Sequence, residues 1–216
     1  MSCCYGFAIV SKEPRTFIDE PAREARGHRE AGRPDLKRGL RAADPKRAGV
    51  IRSAVLDDAP AIARVHVDAW RTAYTKLLPS TVLDNLRYDE REKLWREMIG
   101  AHDIRHVFVA LDRANEVIGF AACGPNRAAD PRYPGELYAI YLLAEHRGDG
   151  HGRELFDATA AYLRQQALTP FQLWVLAGSE EIDRIAAALG GRRVASQPTV
   201  VDGVDAYEHG YGFAIG

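Results

Sequence analysis

From about Val50 onward the apolar residues fall into recognisable rhythms. The stretch "VIRSAVL" alternates and predicts a first strand. Asp57 or Asp58 can then cap a helix that keeps Pro60 in its first turn, where the missing N–H has no helical partner anyway. Ile62, Val65, Ala69 and Ala73 give this helix an apolar stripe. A break is expected at "LLPS". Asp89 and Glu92 form a capping-box pattern before a second helix with Leu94, Trp95 and Met98. "HVFVALD" and "EVIGFAACG" predict two strands joined by the short turn Asp112–Asn115, a hairpin. "GELYAIYLL" predicts a further strand. A glycine-rich turn follows, then a helix with Leu155, Phe156, Thr159, Tyr162 and Leu163 on one face. "FQLWVL" reads as a strand and "EEIDRIAAAL" as a helix ended by Gly190-Gly191. "RRVASQ" and "DAYEHGYGFAI" close the chain as strands.

The predicted order is β-α-α-β-β-β-α-β-α-β-β. Hairpins mixed with one strand–helix–strand unit imply an α+β arrangement, a single mixed sheet with helices packed on it. Residues 1–48 follow no such rhythm. Their many charges and prolines leave too little apolar surface to offset ordering, so they are expected to be a disordered extension, with 49–216 as one domain.

Charge separates the same two segments. Residues 1–48 hold 11 Lys+Arg against 7 Asp+Glu, while the whole chain carries a net −1. That balance gives no reason to expect nucleic acid or an anionic membrane as partner. Three cysteines without metal-ligand spacing predict neither a disulfide framework nor a metal site. A reducing, cytoplasmic compartment is the simplest expectation. Arginine outnumbers lysine 24 to 5, a bias that points to a bacterial source.

The stretch "EHRGDGHGREL" places Gly148, Gly150 and Gly152 directly before a helix. Helix N-termini carry unpaired N–H groups and partial positive charge, and glycine lets an anion approach them closely. Two familiar phosphate loops fail here. A Walker loop needs GK[ST], but the chain reads Gly152-Arg153-Glu154. A dinucleotide fingerprint counted from Gly148 meets Arg153 where its third glycine belongs. The spacing R-x-x-G-x-G, Arg147 to Gly152, resembles the coenzyme A loop of the GNAT superfamily, the Gcn5-related N-acetyltransferases. The likeness extends from about Ile51 to Tyr211. It includes "IRSAVLDDAPAIARVHVDAWRTAY" with "LLP", "GELYAIYLLAEHRGDGHGRELF", and "LWVLAGSEEIDRIAAALGGRRV".

That resemblance implies a predominantly antiparallel sheet with one parallel strand–helix–strand unit, acetyl-CoA as co-substrate and no metal. It places the pyrophosphate against Arg147, Gly148, Asp149, Gly150, His151, Gly152 and Arg153. The pantetheine arm would bond along Ile140, Tyr141 and Leu142 like an added strand, where the family's central strands splay. Three positions depart from the usual pattern. Ala144 stands for a common proline, Asp149 adds negative charge, and His151 replaces an aliphatic residue and is expected to find a backbone partner.

Acetyl transfer needs a proton acceptor for the amine, a donor to the thioester oxygen and a proton for the leaving thiolate. Glu136 is the candidate base, and alternation puts Tyr138, Ile140 and Leu142 on its face of the strand with Tyr141 opposite. A backbone N–H near Leu142 would serve the oxyanion. The resemblance puts Ala186 where the family has its thiolate-protonating tyrosine, so Ser179, Tyr138, Tyr141 or water remain as acids, or no acid is required. Trp70, Arg71 and Tyr74 are candidates to line the acceptor site. Cys123 reads as a small buried residue. The function expected is acetyl transfer to a primary amine of a small molecule or protein, by a monomer or homodimer. The alternative is a non-catalytic acyl-CoA-binding module, suggested by Ala186 and Asp149.

Overall fold

The computed structural model describes residues 50–101 and 103–214. The expected N-terminal extension lies outside the described residues.

The first strand, β1 (Val50–Ser53), is shorter than the alternation suggested, because the chain coils into a 3-10 turn at Leu56–Asp58. Asp58 does occupy the N-cap position of α1 (Ala59–Ala73). Its carboxylate, however, turns back to accept from the Val55 N–H at 2.8 Å and pairs with Arg52 at 2.6 Å. A short helix absent from the sequence reading, α2 (Ser80–Asp84), follows Pro79. The next helix, α3 (Tyr88–Gly100), starts before the expected capping box. Arg87 holds its N-cap position without a side-chain cap, and Glu92 instead pairs with Arg96 at 2.9 Å. Leu94, Trp95 and Met98 are buried as expected.

Next come β2 (His106–Leu111) and β3 (Val117–Pro125), joined by the expected turn. Its geometry is fixed by the Asn115 N–H donating to the Asp112 carbonyl at 3.1 Å. The remaining elements are β4 (Gly135–Leu142), α4 (His151–Gln165), β5 (Phe171–Leu176), α5 (Glu180–Ala188), β6 (Arg192–Val201) and β7 (Val204–Phe213).

One seven-stranded sheet has the order β1-β2-β3-β4-β5-β7-β6. Only β4 and β5 are parallel neighbours, and α4 forms the crossover between them. Helices cover both faces. Ile62, Val65, Trp95 and Met98 of α1 and α3 pack on Phe120, Ala122 and Tyr138. On the other face, Leu155, Phe156 and Leu163 of α4, with Ala186 of α5, pack on Leu137, Leu173 and Phe213.

One departure from regular pleating controls the site. Ala122 pairs with Ala139, but the next β3 residue, Cys123, pairs with Leu137. Tyr138 is therefore the extra residue of a β-bulge. The expected common face of Glu136, Tyr138, Ile140 and Leu142 is corrected by this insertion. Tyr138 and Tyr141 face α1, whereas Ile140 and Leu142 pack toward α4.

Candidate active site

Beyond the 3-10 turn at Ala144–His146, the chain reaches the three alternate glycines. Gly148 has φ +88° and Gly150 φ +96°, backbone conformations that favour glycine. Gly152 is different. Its φ lies outside the left-handed range, and a Cβ placed there would meet no atom within 4 Å. Neither strain nor internal crowding calls for glycine at this position, so the bare surface faces outward. The first backbone bonds of α4 run from the Arg153 and Glu154 N–H groups to the Gly150 carbonyl. The N–H groups of Gly148, Gly150, His151 and Gly152 make no backbone bond among the described residues, as expected of a helix start.

The side chains around this turn are partly engaged. Arg147 is exposed. Arg153 pairs with Asp157 along the helix at 2.8 Å, an exposed contact that an anion could replace at small cost. His151 is buried, and the expected backbone partner is not found: Nδ1 makes no hydrogen bond among the described residues, with the Glu154 carboxylate 3.6 Å away. Asp149 is exposed beside the glycines.

The strand leading into the turn provides a slot. β4 pairs with β5 only from Gly135 to Leu137, opposite Phe171 to Leu173. Beyond that fork the two strands part, while β4 stays paired with β3 through Leu142. The Leu143 N–H donates to the Ile118 carbonyl at 2.9 Å. Two-residue ladder periodicity then turns the N–H groups of Ile140 and Leu142 away from β3, toward the opening. An extended ligand in this wedge could bond to β4 as a strand would.

Glu136, the expected base, is only 3% exposed and is held by Arg127. The Arg127 backbone N–H donates to Oε2 at 2.9 Å and its Nε donates to Oε1 at 3.1 Å. The guanidinium also covers the Tyr138 ring, 4.9 Å from its centroid. Both carboxylate oxygens already accept from Arg127, and this geometry points to a role in anchoring the β3–β4 loop. The Tyr138 hydroxyl donates to the Pro125 carbonyl at 2.7 Å, and burial raises its pKa. Ser179 caps α5, accepting from the Ile182 N–H at 3.3 Å.

Residues 60–190 match the model of the acetyltransferase (GNAT) family. The chain is 39% identical over 163 residues to an uncharacterized N-acetyltransferase, YuaI, from Bacillus subtilis strain 168, covering 76% of this chain and 91% of that one. The chain belongs to the GNAT family. It is an N-acetyltransferase of that family. Among solved structures, the PaiA N-acetyltransferase of Thermoplasma acidophilum in complex with coenzyme A superposes with a TM-score of 0.62 at 14% identity, over 77% of this chain and 99% of that one. The yncA acetyltransferase of Salmonella typhimurium with acetyl-CoA gives 0.59 at 21% identity, over 77% and 93%.

Ala186 is buried beside Tyr211 of β7, whose hydroxyl donates to Asp183 of α5 at 2.6 Å. His209 lies 3.4 Å from the same carboxylate oxygen. Cys123 is buried, and desolvation pushes its thiol up to about 12, which makes it inert at neutral pH.

On the α1 face, Trp70, Tyr74 and Leu176 share a cluster to which Tyr141 adds its half-buried ring. The Tyr74 and Tyr141 hydroxyls are 3.4 Å apart, and burial, then Tyr74, raises the Tyr141 pKa well above its ordinary value. Arg71, expected to be solvated or to touch substrate, instead binds the Leu83 and Leu86 carbonyls and fixes α2 against α1.

Two buried polar residues escaped the sequence reading. His66 of α1 stacks on Tyr141 with ring centroids 5.6 Å apart and accepts from the Trp95 Nε1–H at 3.2 Å. Burial, aided by Arg91, lowers its pKa to about 3, so the ring is neutral. Its spacing from Ile62 and Ala69 put it on the apolar stripe, a signal the sequence did contain. Glu208 of β7 is 1% exposed, and its Oε1 accepts from Gln197 Nε2 at 2.5 Å.

Proposed function

We propose that this chain transfers the acetyl group of acetyl-CoA to a primary amine of a small molecule or peptide. The observation that carries the reading is Gly152, a bare helix N-terminus where nothing inside the fold asks for glycine. The backbone of residues 147–152 would hold the pyrophosphate, with Arg147 adding charge. The backbone of Ile140 and Leu142 would bond to the pantetheine arm in the wedge, with Tyr141 between them paired to β3. The N–H of Ile140 or Leu142 would donate to the thioester oxygen as it gains negative charge. Alignment of amine and thioester within the wedge supplies much of the remaining rate. The acceptor would approach from the α1 face, past Trp70, Tyr74 and Tyr141. The open strand edge of the wedge, beside the aromatic cluster of Trp70, Tyr74 and Tyr141, favours transfer over storage of acyl-CoA.

Thermal melting with and without acetyl-CoA tests the cofactor reading, because a ligand specific to the folded state raises the midpoint. Release of free CoA thiol in the presence of amines tests transfer. A midpoint that does not move at saturating acetyl-CoA overturns the cofactor assignment. Binding without CoA release from any amine would favour the non-catalytic alternative.

A further inference from the structure

Two buried polar atoms at the start of α4 face each other without a hydrogen bond. His151 Nδ1 and Glu154 Oε2 are 3.6 Å apart, and neither has a hydrogen-bond partner among the described residues. His151 is the first residue of α4 and only 6% exposed. Leu155, one turn further on the same helix face, lies beside Gly119 of β3, which pairs with Leu142 at the end of β4. The His151 ring therefore sits beneath the glycine turn, on the sheet side. Buried polar atoms left unpaired are costly, and two at one place call for a physical cause. A proton supplies it. The charged imidazole carries N–H at both nitrogens, so Nδ1 could donate to Oε2 and satisfy both atoms at once.

The backbone of the same residue belongs to the anion site. The His151 N–H makes no backbone bond among the described residues and lies in the turn that would receive the diphosphate. Ring and phosphates would then be separated by about 5 Å, one helical turn. We propose that His151 couples a proton to the cofactor: the ring takes a proton from water as the diphosphate of acetyl-CoA settles on residues 147–152, and returns it on release. This rests on the acetyltransferase reading above. An aliphatic residue, the usual occupant of this position in the resemblance, could make no such response.

The sign follows from the surrounding charges. Glu154 is the one carboxylate within 4 Å of the ring among the described residues. The partial positive charge of the helix start opposes a proton in the free protein, and bound phosphates offset it. Glu145, His146, Arg147, Asp149 and Arg153 lie along the turn, with Asp157 paired to Arg153. The β2–β3 turn at this end of the sheet carries Asp112, Arg113 and Glu116. The strands beneath α4 face it with apolar residues such as Ile118 and Leu142, with Cys123, which stays a thiol, and with His106, which stacks on Tyr162 three turns along the helix. Leu189 and Phe213, on the α5 side, bring no charge. The phosphates are thus the charge that changes on binding. Affinity should rise as pH falls through the histidine range, about pH 8 to 5, and the gain should be lost as pH rises.

The test is calorimetric titration of the full chain with acetyl-CoA at pH 8 and pH 6, each in two buffers of different ionisation enthalpy. Native protein should take up a fraction of a proton more than His151→Leu. Its Kd should tighten between the two pH values by about tenfold more than that of the variant, the response of a proton held tenfold more tightly in the complex. The phosphate monoester of the ligand titrates near pH 6, but it does so in both proteins and cancels in the ratio. Glu154→Gln keeps the shape of the pair without its charge and should lose much of the uptake, which gives a second reading should His151→Leu not fold. Equal proton uptake and equal pH response in native protein and variants overturn the proposal alone. Native protein that binds no acetyl-CoA at either pH overturns the cofactor reading, and the proposal with it.

Discussion

Replacing Gly152 by alanine should move stability and cofactor affinity in opposite directions. In most proteins a glycine that matters for binding also matters for folding, and the two effects cannot be separated. Here they can, because a Cβ at residue 152 meets no atom within 4 Å and the backbone is not left-handed. Alanine is the better helix former, so Gly152→Ala should stabilise the ligand-free protein by about 0.5 kcal/mol, near the lower end of the glycine penalty at this first-turn position. That corresponds to a midpoint rise of about 1–2 °C for a domain of this size. The added methyl would stand where the pyrophosphate approaches. Loss of one charge-assisted bond, about 1.5–3 kcal/mol, weakens acetyl-CoA at least about tenfold. At a concentration of about 100 times the native Kd, ligand stabilisation would drop from about 2.7 to about 1.4 kcal/mol. Paired melting curves, with and without acetyl-CoA, read both quantities from one sample. A variant that melts higher yet keeps the full ligand shift would refute the reasoning, since the helix start would then not be where the phosphates lie.

Other expectations concern the groups around the wedge. His66 titrates near 6.5 when unfolded and at about 3 when folded. Its contribution is therefore fully present above pH 6.5 and is lost as pH falls toward 3. About 2 kcal/mol should be gone by pH 5, and urea titrations across that range should lose this acid limb in His66→Asn. Arg127→Ala leaves the Glu136 carboxylate buried without its cation and should cost about 3–5 kcal/mol in urea unfolding, with Arg127→Met paired with Glu136→Leu recovering most of it. Ser179→Ala removes the α5 cap and should cost about 1 kcal/mol. The same variant should leave kcat unchanged in a CoA-release assay, and a large fall in kcat would restore Ser179 as an acid.

Much of the fold was legible because its signals are local. Period-two and helical rhythms mark every strand and the four longer helices, and the glycine turn announces itself by composition. The missed features are those without a local signature. Five residues of α2 are too few for a periodicity to emerge. The bulge at Tyr138 inserts a tyrosine with no glycine or proline to flag it, so alternation misplaced half of β4. Glu136 looked like a free carboxylate because Arg127 reaches it only after β3 and β4 fold together. Glu208 carries a charge that by itself gives no sign of burial. Its burial was still partly readable, because Gly210 and Gly212 share its face, and a strand face of glycines is one that bulky groups cover. Here those groups are Trp174 and Tyr133.

The parting of β4 from β5 also has a consequence for handling the protein. From the fork to Leu142, β4 offers unsatisfied backbone toward a neighbour that has moved away. Such a row is a sheet edge set within the sheet, and any extended chain with compatible side chains can add to it. Occupancy of the slot by an extended ligand would cap that row. Protein kept at high concentration without such a ligand should therefore self-associate and precipitate sooner than protein stored with it, and peptides that compete for the slot should be strand-formers.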